Sequence, residues 1–438
     1  MDGYPSRFTW WAILLLALVV RLGAGVWWQE RLPAGQRFFF PDSESYWQLG
    51  RTIAHGEPYQ YGVEQARIFR TPGYPLLLAP IFLIGGDAPS PYAARAMSAI
   101  FGTCSVAIIM AFGSWLFNAR AAALAGLAAA LEPGTISQGV FVLSEAPFSP
   151  LMLLHLGAWL LAWKANDARH SVLHAAWGGV VGALATLMRP SWLLFLPFAG
   201  LLTLLVGQQR KKQLLIVGVM SLTFAVTMAP WWWRNYQLTG RFIPTSLQVG
   251  ASLYDGLSPQ ANGGSEMSFV PKFMAEQQVF DAAASTPPTD TFEERLDQRM
   301  KSASIAWAAA NPGRVLELMG IKFVRMWTPW PNASDVGGTG AKLAIAVGYL
   351  PLIITGICGA GRYIRRDATL LLLALPAIYF TLLHIVFVSS LRYRQPALLP
   401  LFVFGAAWAI EKINHSNLSL NKSKAEIHKR KTNIRKTK

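Results

Sequence analysis

The chain has 438 residues, 53% of them hydrophobic and only 14% charged, where a soluble protein carries roughly 25% charged residues. Apolar runs of about 20 residues, the length that crosses a bilayer, recur along it, and lipid forces such runs to be helical. This excludes a soluble globular domain and predicts an all-α polytopic membrane protein with about 10–11 transmembrane helices. The net charge of +16 raises nucleic acid as a partner, but nine Lys/Arg against one acid, Glu426, fall between Lys412 and Lys438. That stretch follows an apolar segment, so 412–438 reads as a basic cytoplasmic tail, disordered and facing membrane lipids, with no nucleic acid implied.

The first apolar run, Phe8 to Val20, resumes through Val26-Trp27-Trp28 after Arg21. It reads as an uncleaved anchor rather than a signal peptide. Arg21 then lies within the membrane, snorkelling or touching a neighbouring helix. A polar segment follows, with Pro41-Asp42-Ser43-Glu44-Ser45-Tyr46 and Arg70-Thr71-Pro72-Gly73-Tyr74-Pro75. Gly73–Gly85 is too short and too proline-rich for a span and reads as an interfacial or re-entrant helix. Further spans are expected at 91–117, 119–138, 141–164, 172–189, 191–206, 212–230, 341–361, 368–388 and 394–411, after the first at 8–28. Cys104 and Cys358 fall inside apolar segments and read as small core residues. The seven histidines are scattered; His155, His174 and His384 read as satisfied core or interface groups.

With the N-terminus inside, Arg210-Lys211-Lys212, Arg362, Arg365-Arg366 and the tail all fall on the cytoplasmic side, as the positive-inside rule requires. Two large loops then face outward, 29–90 and 231–340. The second opens on Pro230-Trp231-Trp232-Trp233-Arg234-Asn235-Tyr236, an aromatic cluster suited to the membrane boundary. Within it, Thr291–Ala310 and Gly313–Trp327 are expected to form interfacial helices, with Glu293-Glu294-Arg295 on a solvated face. Residues 1–411 thus read as one transmembrane domain.

The outward side gathers Asp42, Glu44, Arg70, Glu145, Arg189, Arg234, Arg392 and Arg394 at membrane edges. Acids in so apolar a chain are candidates for chemistry. Arginines grip phosphate through bidentate hydrogen bonds, and a carboxylate suits proton abstraction from a hydroxyl. The pattern fits a reaction on an anionic lipid. Asp42, Glu44 and Glu145 offer oxygen ligands suited to Mg²⁺ or Mn²⁺, but we expect no essential metal. No P-loop, dinucleotide fingerprint, HExxH or GxSxG motif is present.

The order of these motifs resembles the C-type (GT-C) membrane glycosyltransferases. It runs from Pro41-Asp42-Ser-x-x-Tyr46 and Arg70-Thr-Pro-Gly-Tyr74-Pro75 through Ser144-Glu145, Arg189-Pro190 and Pro230-Trp-x-x-Arg234-Asn235-Tyr236 to Arg392-Tyr393-Arg394-x-Pro396. The likeness is to the branch holding protein O-mannosyltransferases and the aminoarabinose transferases of lipid A, and covers residues 8 to 411. It implies inverting transfer of a sugar from a polyprenyl-phosphate donor to a hydroxyl of a lipid, glycan or protein acceptor, on the periplasmic face of a bacterial inner membrane. The family's first-loop base maps to Asp42. The mannosyltransferase branch has adjacent Asp-Glu here, whereas this chain has Asp42-Ser43-Glu44, which leaves the role of Glu44 open. Arg70, Arg392, Arg394 and Arg234 are the expected phosphate-binding residues, and Glu44 and Glu145 the supporting acids. The rival reading, a transporter or flippase of a lipid-linked sugar, calls for charges near the bilayer midplane; here they concentrate at one edge.

Overall fold

The computed structural model describes residues 5–62, 66–285, 289–330 and 338–436, with side chains through 416 except at 341. The missing stretches fall inside the two large loops and at the chain ends. Every regular element among the described residues is helical.

α1 (Arg7–Gln29) starts where the Ser6 hydroxyl accepts the Thr9 amide at 3.0 Å, an N-cap that satisfies a first-turn donor. α2 (Pro41–Ala54) and α3 (Gly73–Gly85) form the first large loop. α4 (Pro91–Leu116) returns across the membrane. The expected span 119–138 is instead broken into α5 (Ala119–Leu131) and α6 (Pro133–Gln138). Pro133 lacks the amide a continuous helix needs, and the Glu132 carboxylate accepts the Thr135 amide at 2.6 Å to start the next turn.

α7 (Glu145–Lys164) is the central helix, with 78% of its apolar window buried against 22% for α1. It packs on α4 and on α8 (Ala168–Met188). Then come α9 (Phe195–Val206) and α10 (Arg210–Thr239). α10 continues nine residues past the expected end of its span, through Pro230. Its extension is anchored by the Trp231 indole donating to the Thr245 carbonyl at 2.7 Å and by Asn235 donating to Ile243 at 3.0 Å. It stops at Gly240, whose φ of 67° is the left-handed conformation that ends many helices.

The second large loop folds into α11 (Val249–Gly256), α12 (Val270–Ala283), α13 (Phe292–Ala310) and α14 (Pro312–Trp327). Phe269, Phe273, Leu296 and Met300 form its small apolar cluster. The two expected helices are found as α13 and α14. Glu293 and Glu294, expected on a solvated face, are buried: Glu294 closes a capping box with Thr291, and Glu293 accepts the Ile68 amide at 3.0 Å. α15 (Thr339–Ile364), α16 (Leu371–Val386) and α17 (Leu391–Lys436) complete the chain. The tail expected to be disordered continues α17 as helix up to Lys436; 437–438 lie outside the described residues.

Among the described residues eight helices are long and apolar enough to cross a membrane, and three shorter apolar segments lie at 73–85, 119–131 and 190–206. This is a multi-span membrane protein. Arg21 is fully buried between α1, α4 and α5, donating to the carbonyls of Ala17, Ala129 and Ala130 at 3.0 to 3.3 Å. It thereby caps the carboxyl end of α5, where a cation is favoured. Gly102 and Gly139 make room for it: a Cβ at either position would lie within 2.8 Å of its side chain. Cys104 and Cys358, expected in the core, are exposed, because lipid accepts a small apolar side chain as readily as the interior does.

Candidate active site at one membrane edge

Asp42 stands in the first turn of α2, where the helix dipole favours a carboxylate. Its Oδ1 accepts from Arg70 Nη2 at 2.7 Å and its Oδ2 from Arg392 Nη2 at 3.0 Å. Arg70 is further oriented by donating to Ser45 Oγ at 3.2 Å and Gln248 Oε1 at 3.0 Å. Behind Arg392 lies Glu145, at the start of α7. Its Oε1 sits 2.8 Å from Arg392 Nε and 2.6 Å from Arg189 Nη1. The Tyr393 ring lies beneath both guanidiniums, 4.9 Å from Arg392 and 5.1 Å from Arg189. The ring stacks in turn on His384 at 4.4 Å.

The arrangement is graded from dry to open. The Glu145 side chain is 3% exposed and that of Asp42 36%, so a ligand reaches Asp42 but not Glu145. Two carboxylates meet three guanidiniums, which leaves one positive charge in excess for an incoming anion. Burial opposes ionisation of Asp42, but the Arg70 and Arg392 guanidiniums outweigh it and hold its carboxyl well below the usual carboxylate range.

Arg70, Arg392 and Glu145 thus join Asp42, while three other expected residues do not. Arg394 is fully buried elsewhere. It donates to the Met326 carbonyl at 2.9 Å and to that of Thr328, over the Tyr349 ring at 3.7 Å. Side chains two positions apart on a helix point about 200° apart, so Arg392 and Arg394 cannot share one phosphate. Glu44 is displaced from Asp42 by the same rotation. It accepts from Gln48 at 3.1 Å and lies 3.7 Å from Arg37. Arg234 holds the first large loop, donating to the Arg67 carbonyl at 3.1 Å and lying over Trp231 and Tyr59. Gln248 and Tyr393 complete the cluster; Tyr393 lies within the Arg392-Tyr393-Arg394 motif, whereas Gln248 did not stand out in the sequence. Gln248 has no distinguishing local motif.

Among the described residues no group of three or more His, Cys, Asp or Glu is placed to hold a metal ion. The carboxylates of Asp42 and Glu145 face guanidiniums rather than each other, so the donor set does not fit a cation as arranged.

Residues 70–233 match the dolichyl-phosphate-mannose-protein mannosyltransferase family. No curated protein matches the chain. Among solved structures, the apo oligosaccharyltransferase of Archaeoglobus fulgidus aligns over 95% of this chain with a TM-score of 0.58 and 16% identity. The chain spans only about half of it, 52%. The same organism's oligosaccharyltransferase AglB, in complex with an inhibitory peptide and a dolichol-phosphate, aligns over 94% of this chain and 51% of its own at a TM-score of 0.52 and 17% identity. ArnT from Cupriavidus metallidurans bound to undecaprenyl phosphate covers 92% of this chain and 77% of its own, at a TM-score of 0.43 and 16% identity. The matched family segment carries Arg70, Glu145 and Arg189 but neither Asp42 nor Arg392, which the fold brings to it from either side. The protein has the C-type integral-membrane glycosyltransferase fold, with its mannosyltransferase-like region at residues 70–233.

Proposed function

We propose that this protein is an inverting glycosyltransferase that moves a sugar from a polyprenyl-phosphate donor to an acceptor hydroxyl at the outer, periplasmic face of a bacterial inner membrane. The observation that carries the reading is the Asp42 carboxylate gripped by Arg70 and Arg392 at the membrane edge, within a fold shared with an enzyme solved with a dolichol-phosphate.

The ion pairs explain how one cluster performs two tasks. A carboxylate held so far below its usual range is a weak base. The donor's phosphate competes for the same guanidiniums, which match it bidentately. As Arg70 and Arg392 turn to the phosphate, Asp42 loses the charges that suppress its basicity, and its pKa rises. Asp42 then takes the proton of the acceptor hydroxyl as that oxygen attacks the anomeric carbon. The bond to the phosphate oxygen breaks in the same displacement, with inversion. The leaving group departs as polyprenyl phosphate, its charge held by the arginines, each such contact worth about 2.7–4 kcal/mol in the transition state. Glu145 and Arg189 keep Arg392 aimed throughout. Arg21, the charge within the first span, is locked into backbone carbonyls, which favours an edge-sited enzyme over a midplane transporter.

The test uses the purified chain in nanodiscs with a panel of polyprenyl-phosphate sugars and candidate acceptors, following release of free polyprenyl phosphate. Release that Asp42→Asn abolishes supports the reading. No release with any donor, together with movement of intact donor between leaflets, establishes a flippase instead.

A further inference from the structure

A second site lies at the opposite edge of the membrane. α7 places Glu145 in the cluster above and Lys164 at its other end; its 20 residues set those ends about 30 Å apart. There the α7–α8 and α9–α10 connections enclose a cavity of about 720 Å³.

Its chemistry is cationic on one side and apolar on the other. Lys212 Nζ donates to the carbonyls of Trp163 and Ala165 at 2.7 and 2.6 Å, which fixes a charge in the wall with no carboxylate among the described residues against it. Lys211 lines the cavity beside it, exposed and without an ion pair among the described residues. The acids nearby are already engaged: Asp367 pairs with Lys164, and Asp167 accepts the amide and ring nitrogen of His170. The first turn of α10 opens on the cavity, and its N-cap residue, Gln209, makes no side-chain cap bond. The apolar wall includes Val206 and Leu215, which keep 46% and 43% of their surface open. It continues onto Leu205 and Leu214, on helices that cross or enter the membrane.

We propose that this cavity binds an anionic phospholipid of the leaflet opposite Asp42. Lys211, Lys212 and the α10 amides would hold the phosphate, and the chains would lie along Val206 and Leu215. A free phosphate has no use for the apolar wall, and a zwitterionic lipid gains less from uncompensated cations. Basic pockets between spanning helices recognise lipid head groups in this way.

Native mass spectrometry of the delipidated, detergent-purified full chain tests it, with phosphatidylglycerol, phosphatidylcholine and inorganic phosphate as probes. Phosphatidylglycerol is expected to bind in preference to phosphatidylcholine. Lys211→Glu reverses a charge and is expected to weaken that binding about tenfold, while Lys211→Arg retains it. Lys211→Gln, with a smaller loss, stands in should the charge reversal not fold. Equal binding of the two lipids, an unchanged Lys211→Glu, or displacement of the lipid by inorganic phosphate would overturn the assignment. None of these outcomes depends on sugar transfer.

Discussion

Arg392 reaches Asp42 through Nη2 at 3.0 Å across 350 residues of sequence, and its Nε rests on Glu145 at 2.8 Å. One guanidinium therefore joins the first large loop, the central helix and the last span. Disturbing any of the three changes where the positive charge sits at the site.

Asp42→Asn removes the proposed base and leaves the fold's apolar packing untouched. Sugar transfer is expected to fall by about 10²–10⁴, the usual worth of a general base, while the protein stays monodisperse in detergent. Near-normal turnover by this variant would take Asp42 out of that role.

Glu145→Gln leaves Arg189 and Arg392 buried without their shared carboxylate. Breaking a buried pair typically costs about 3–5 kcal/mol, so a clear drop in thermal stability is expected. Adding Arg189→Gln should recover part of it, because one fewer charge is then uncompensated. A double variant no more stable than Glu145→Gln would show that the pair is not coupled.

Arg392 and Arg394 lie two residues apart and are expected to behave differently. Arg392→Lys should raise the donor KM and lower kcat, since an ammonium cannot replace a bidentate fork. Arg394→Lys should lower the melting temperature, because Arg394 caps the end of α14, with kcat/KM of the folded fraction within about twofold of the parent, since it makes no contact at the site. Equal loss of donor affinity in both variants would mean that they share the phosphate after all.

Glu293 provides a pH dependence. Burial raises its pKa from 4.5 to about 7, against the Ile68 and Arg67 amides that lower it. The folded state thus prefers the protonated acid. That contribution is fully present below pH 4.5 and is lost as pH rises through about 7. Thermal stability of the parent should therefore decline from pH 5 to 8 relative to Glu293→Gln, which carries no such proton. Parallel curves for the two proteins would show that Glu293 titrates normally.

Much of the architecture was legible from composition alone. A bilayer demands about 20 apolar residues per crossing and forbids unsatisfied backbone, so the spans could be read directly; the boundaries moved where Pro133 shortens α5, where α10 runs on past Pro230 and where α17 continues as helix beyond 411. The same scarcity of charge made Asp42, Arg70, Glu145 and Arg392 visible as a set. Tertiary structure alone decided which charges meet. Arg394 and Glu44 carry the same groups as their neighbours, but a rotation of about 200° sends Arg394 to the end of α14 and turns Glu44 toward Gln48. Arg189 and Gln248 join because the ends of α8 and α11 arrive at one corner of the bundle. Burial requirements are local and are written in composition; the direction of a side chain depends on how its helix is rotated against neighbours hundreds of residues away, and no short stretch of sequence encodes that.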